Sequence, residues 1–218
     1  MKQIVVLISG RGSNMEALIR ARDRGELPGR IAAVISNQPQ AAGLETAARA
    51  GIATHCVHHR DFASRGEFDL ALAACVDRHQ PDLVVLAGFM RILGEGFVRR
   101  YEGRLLNIHP SLLPAFPGLH THRRALEEGV RVHGCTVHFV TPALDHGPIV
   151  IQAAVPVLDG DDEDRLAARV LAQEHRIYPL AVRWFVEGRL ALVDGRARVA
   201  GEQGETAALL SPSLTESL

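Results

Sequence analysis

The chain has no excess of charge of either sign: 24 lysines and arginines stand against 25 aspartates and glutamates in 218 residues, a formal net charge of −1. The whole-molecule attraction that nucleic-acid binders rely on is missing, so no nucleic acid is expected as partner. Only three cysteines occur, Cys56, Cys75 and Cys135. Scattered and odd in number, they fit reduced thiols rather than a disulfide framework. No apolar stretch approaches the roughly 18 residues that a membrane span needs, which argues against a membrane partner. The first apolar run, Ile4 to Ile8, is too short for a secretory leader and leads into a glycine turn. These absences predict a cytoplasmic protein, and 47% hydrophobic residues suffice for a sizeable core.

What is present is alternation. Aliphatic runs near 2–9, 30–36, 53–57, 82–87 and 104–109 are separated by helical patterns near 13–24, 42–50 and 65–79. That order predicts an α/β fold with a mostly parallel central sheet and helices on both faces. Val5-Val-Leu-Ile8 and Leu83-Val-Val-Leu-Ala87 are continuous, as strands buried on both sides should be. Two further apolar runs, 134–141 and 148–157, are joined by a short loop and predict an antiparallel pair added to the sheet. A helix is expected over 162–187, kinked or interrupted by Pro179, followed by a short strand at 189–193. From about 195 the composition shifts to Gly, Glu, Ala and Ser, so residues 1–194 are expected to form one domain and 195–218 a flexible tail.

The first strand hands over to a helix through Ser9-Gly-Arg-Gly-Ser-Asn14. Glycines there let backbone N–H groups approach an anion at a helix N-terminus, and a phosphate suits that position. A plain turn with Ser13 or Asn14 capping the helix is compatible with the same residues. Met15 stands at the third glycine position of a dinucleotide fingerprint, and the next strand ends in Ser36-Asn37 without a ribose-gripping acid, so a dinucleotide is not expected. No Gly-Lys-Ser/Thr is present, which removes a P-loop.

In Leu105-Leu-Asn-Ile-His-Pro-Ser-Leu-Leu-Pro114 a strand ends by presenting Asn107 and His109 on one face. An amide and an imidazole that converge suit a carbonyl about to become an oxyanion. Prolines at 110, 114 and 117 force a turn there. Asp145, in Leu144-Asp-His-Gly-Pro148, reads either as a turn residue bonding its own backbone or, if His109 lies nearby, as the carboxylate that stabilises a charged ring. His55-Cys-Val-His-His59 and His120-Thr-His122 raise a metal-binding or regulatory alternative, but they lack a complete ligand set and no metal is expected. A non-catalytic nucleotide-binding module is a further alternative, which would leave Asn107, His109 and Asp145 unexplained.

Several segments, in order, resemble the phosphoribosylglycinamide formyltransferases, a folate-dependent family. They are Ile4 to Asn14, Val84 to Leu93, Leu105 to Pro114, Pro117 to His122, Val137 to Thr141 and Gln173 to His175. The resemblance implies a Rossmann-like formyltransferase fold with an antiparallel C-terminal part. It implies catalysis by Asn107, His109 and Asp145, and ribotide binding by Gly12, Ser13, Asn14 and Glu174. Folate contacts would come from Arg65, Met90, Arg91, Ile92 and Leu93, with Asn107, Thr141 and Asp145. The chain departs from the family's usual residues at Ala115, at His146 and at Cys135-Thr136.

The implied reaction carries a formyl group from 10-formyltetrahydrofolate, as co-substrate, to the amine of glycinamide ribotide in purine biosynthesis. It passes through a tetrahedral oxyanion, and a homodimer is compatible with it. Two other enzymes use similar chemistry. Methionyl-tRNA formyltransferase resembles this domain with a basic C-terminal domain added, and formyltetrahydrofolate hydrolase resembles it behind an N-terminal regulatory domain. The length of this chain is expected to exclude both.

Overall fold

Runs of aliphatic residues without polar alternation form β1 (Gln3–Ile8), β2 (Arg30–Ser36) and β4 (Leu83–Leu86) in the computed structural model, which describes residues 1–201 and 211. Between them lie α1 (Ser13–Asp23), α2 (Ala42–Arg49), β3 (Ala53–Cys56) and α3 (Arg65–Asp77). Then follow α4 (Glu95–Arg100), β5 (Leu105–His109), α5 (Thr121–Glu127), β6 (Val132–Phe139), β7 (Ile149–Pro156) and α6 (Glu163–Val186). The sheet order is β3-β2-β1-β4-β5-β6-β7. The first five strands are parallel, and β6 and β7 run antiparallel, as the sequence predicts. The chain lays β1 to β3 outward in one direction, then returns to place β4 and β5 beyond β1. The strand order thus reverses between β1 and β4, the position at whose carboxyl ends sheets of this kind form a ligand crevice.

The period of two along β1 divides the core. Ile4, Val6 and Ile8 join Met15 and Leu18 of α1 and Leu166, Val170 and Tyr178 of α6. Val5 and Leu7 face Phe68 and Leu72 of α3 and Phe97 of α4. The same alternation governs β5, where Leu106 and Ile108 enter the α1–α6 layer and Leu105 the α3–α4 layer. Asn107 and His109 are thereby turned to the α3–α4 face.

The structure departs from expectation at three places. Helices α4 and α5 were not anticipated, being too short for an apolar period to register. Pro179 neither ends nor divides α6, which runs 24 residues. Proline removes one helical hydrogen bond, and burial of Ile177, Tyr178, Ala181 and Val182 around it outweighs that loss. The expected tail boundary at 195 falls inside a hairpin of β8 (Leu190–Val193) and β9 (Arg196–Val199). Its two-residue turn, Asp194 (φ 49) and Gly195 (φ 72), has the doubly positive φ of a type I′ turn. Leu190 is buried, and Leu192, Ala197 and Val199 pack on the α1–α6 layer. The rest of the expected tail, 202–210 and 212–218, lies outside the described residues. Among the described residues no helix is long and apolar enough to cross a membrane.

Tyr178 ties α6 to the sheet. Its buried hydroxyl lies 2.8 Å from the Leu86 carbonyl and 3.2 Å from that of Leu106. Tyr178→Phe strands those acceptors and should lower stability by about 1–2 kcal/mol, seen as a lower urea midpoint at unchanged slope.

Candidate active site

The loop after β5 is held so that His109 has little freedom. Leu113 N–H donates to Thr136 Oγ1 at 3.0 Å, Thr136 donates to the Ser111 carbonyl at 2.7 Å, and Gln152 Nε2 donates to the Leu113 carbonyl at 2.8 Å. The Leu113–Pro114 peptide is cis. His109 Nε2 is 3.0 Å from the Phe116 carbonyl, and its Nδ1 is 3.5 Å from Asp145 Oδ2, both side chains being 8% exposed. That separation is a charge contact longer than a good hydrogen bond. Each ring nitrogen therefore faces an acceptor.

Asp145 is not the self-bonded turn residue that its sequence context allows. Its Oδ2 accepts the Gly118 N–H at 2.8 Å, across 27 positions, so it pins the Pro117-Gly118 turn over His109. Its own φ is 51. The loop carrying it is seated by Gly147, where a Cβ would stand 1.7 Å from the Phe139 carbonyl oxygen; no larger residue fits without moving the loop. Thr141, earlier in that loop, donates to the Ala143 carbonyl at 3.2 Å.

Across the crevice, α1 begins at Gly12 (φ 76) with no side chain capping it. Ser13 and Asn14 are inside the helix and do not serve as its cap, so the first-turn N–H groups keep their capacity for an anion. Asn14 Nδ2 donates to Glu174 Oε2 at 2.7 Å, both residues being buried, while Asn14 Oδ1 has no partner. Burial pushes the Glu174 carboxyl above its ordinary value, and the Asn14 hydrogen bond opposes this only in part. Ser9 bridges the two sides of the crevice. Its hydroxyl accepts the Met90 N–H at 2.7 Å and donates to Asn37 Oδ1 at 2.5 Å, which gives Asn37 a use other than gripping a ribose.

Met90 and Ile92 are exposed and Leu93 is buried, so the segment offers apolar side chains and backbone at the crevice edge. Arg91 lies 5.2 Å over the Phe68 ring. Asp69 accepts the Gly94 N–H at 2.7 Å; burial raises its pKa, opposed by that bond and by the charges of Arg65 and Arg91. Arg65 itself is exposed at the start of α3. Asn107, His109 and Asp145 thus form one cluster, Gly12 to Asn14 with Glu174 a second, and Arg65 with Met90 to Leu93 a third.

Two histidines missed in the sequence belong to this region. His138 stands opposite Asn107 in the β5–β6 register, its Nε2 3.1 Å from Asn107 Nδ2 and 3.9 Å from Asp145 Oδ1. His133 is buried edge-on against His122 and Phe116. Burial first, then the charge of His122, pushes its pKa down to about 4, so the ring is neutral near neutral pH. The signal for both was their place in an otherwise apolar strand. Among the described residues no three His, Cys, Asp or Glu side chains are grouped to hold a metal ion.

An uncapped helix start lies on one side of the sheet's reversal point, and on the other a half-buried amide and a carboxylate stand beside the buried imidazole of His109. Residues 2–182 match the family described as formyl transferase, and the chain belongs to that family. It is 55% identical over 200 residues to phosphoribosylglycinamide formyltransferase of Escherichia coli (strain K12), covering 92% of this chain and 94% of the relative. The crystal structure of glycinamide ribonucleotide transformylase 1 from Symbiobacterium toebii superposes with a TM-score of 0.89 at 52% identity, over 91% of this chain and 94% of that one. Phosphoribosylglycinamide formyltransferase of Coxiella burnetii gives 0.88 at 47%, over 92% and 94%. The resemblance read from the sequence segments holds.

Glu174 generates a prediction about stability. A carboxyl whose folded pKa is raised binds its proton more tightly when folded. Its stabilising contribution is present below the ordinary value of 4.5 and lost as pH rises to the folded value. Glu174→Gln removes that loss. The variant should be more stable than the parent at pH 8, with the gain shrinking as pH falls toward 4.5; equal denaturation midpoints across this range would count against a buried, strained carboxylate.

Proposed function

We propose that this chain transfers the formyl group of 10-formyltetrahydrofolate to the amine of 5-phosphoribosylglycinamide, in the cytoplasm and as a step of de novo purine biosynthesis. Beyond family membership, the observation that carries the reading is His109 within 3.5 Å of Asp145, beside Asn107 on the same strand face. The uncapped start of α1 takes the ribotide phosphate on the N–H groups of Gly12, Ser13 and Asn14, and Glu174 orients the amine. Met90 to Leu93, Arg65 and the Thr141 to Asp145 loop take the folate. Apolar side chains with exposed backbone beside them suit a flat heterocycle edged with donors and acceptors.

The amine adds to the formyl carbon, and the carbonyl oxygen gains negative charge. Asn107 and the imidazolium of His109 donate to that oxygen. The ring N–H now directed at the Phe116 carbonyl is the donor, with the formyl oxygen taking that carbonyl's place, as active-site bonds tighten around a reacting group. Asp145 holds the ring charged and orders the water that takes a proton from the attacking nitrogen and delivers it to N10 of the folate. The C–N10 bond then breaks, leaving a formamide on the ribotide and tetrahydrofolate. Glu174 supplies proximity by fixing the amine's approach.

Removing one oxyanion donor costs about 2.7–4 kcal/mol, or roughly 100- to 1,000-fold in rate. Both His109→Ala and Asn107→Ala should lose turnover by that factor with the fold retained, measured spectrophotometrically as ribotide-dependent folate release. A folded His109→Ala enzyme with near-normal turnover would end this mechanism. Folate release by the parent enzyme that ignores the ribotide would make it a hydrolase.

A further inference from the structure

We propose that His138 is a positioning residue that fixes which way round the Asn107 amide stands. The inference rests on the reading above, in which Asn107 must offer an N–H to the transferring carbonyl. An amide side chain has nearly the same shape when turned over, yet in one orientation it presents a donor and in the other an acceptor. Something beside it must discriminate.

The β5–β6 register sets His138 directly opposite Asn107. His138 Nδ1 lies 2.9 Å from the Phe139 carbonyl oxygen. A carbonyl only accepts, so Nδ1 carries the hydrogen. In the neutral ring Nε2 then has a bare lone pair, and that lone pair is 3.1 Å from Asn107 Nδ2. With the amide turned over, Oδ1 would meet the lone pair and repel it. The strand carbonyl thus sets the tautomer and the tautomer sets the amide. The second N–H on the same Asn107 nitrogen is left for substrate.

The device works only while His138 is uncharged. The ionisable groups facing it are His109 of β5 and Asp145 of the β6–β7 loop, the latter 3.9 Å from Nε2. A proton on Nε2 would turn the ring toward Asp145, draw that carboxylate away from His109 and present a donor to the donor of Asn107. The ring is 2% exposed. Burial first, with His109 adding to it, lowers its pKa despite Phe139 and Asp145.

The test uses the full chain. Nitrogen NMR of the histidine-labelled enzyme should show His138 with Nδ1 protonated and Nε2 bare between about pH 6 and 8. In His138→Phe, kcat should fall by up to about 100-fold while KM for ribotide and folate stays within about threefold. His138→Gln, whose Oε1 can accept from the same N–H, should recover most of that loss. A proton on Nε2, a folded Phe variant with undiminished kcat, a loss carried by KM, or a Gln variant no better than Phe would each overturn the proposal. Where His138→Phe does not fold, the NMR tautomer and the His138→Gln rate decide: a bare Nε2 with a largely retained kcat supports it, and either failing overturns it. A parent enzyme without ribotide-dependent transfer instead overturns the functional reading, a result distinct from any of these.

Discussion

The site depends on β6 running against β5 in one register, with His138 opposite Asn107 and Thr136 opposite His109. A parallel neighbour would need a long crossover and would send its next loop elsewhere. The antiparallel strand instead lets a short loop fold back with Asp145 to the strand it has just left. A slip of one residue would turn Asn107's partner into the core. The buried aliphatic residues Val137 and Ile108, paired in the α1–α6 layer, are what forbid that slip. Apolar packing on one face of the strand pair therefore sets the polar geometry on the other.

The same register anchors the proline loop. Thr136, beside His109, both accepts from Leu113 and donates to Ser111, and Gln152 of β7 adds donors to Leu113 and to Thr136 itself, the last at 2.9 Å. Each such bond contributes about 1 kcal/mol net. Ordering each loop residue costs about 1–2 kcal/mol. Hydrogen bonds alone would not hold so many residues in place. The fixed φ of the prolines and the burial of Leu113 supply the remainder.

The strands and long helices were legible because their apolar period runs over enough residues to be distinct. Asn107 and His109 were legible for a related reason, since two residues on one strand share a face whatever the tertiary fold. Asp145 was visible as a residue and invisible as a neighbour, 36 positions away, and Gly118 gave no sign that its N–H would hold that carboxylate. His138 could be found only after the pairing of β5 with β6 was known. The β8–β9 hairpin was readable in principle from Asp194-Gly195, but four-residue strands beside a change of composition masked it. At Pro179 the local rule that proline breaks a helix gave way to tertiary burial.

Ser9 has a consequence for the order in which ligands arrive. One hydroxyl joins the turn that opens α1 to the backbone at Met90, so the two halves of the crevice share a single set of restraints. Under the function proposed above, with the ribotide phosphate at the start of α1 and the folate at Met90 to Leu93, a ligand that orders one side would leave the second a smaller entropic penalty. Thermodynamic reciprocity makes the advantage equal in both directions. Cooperation of this kind needs no moving domain; it can come from one short side chain that belongs to neither binding surface alone.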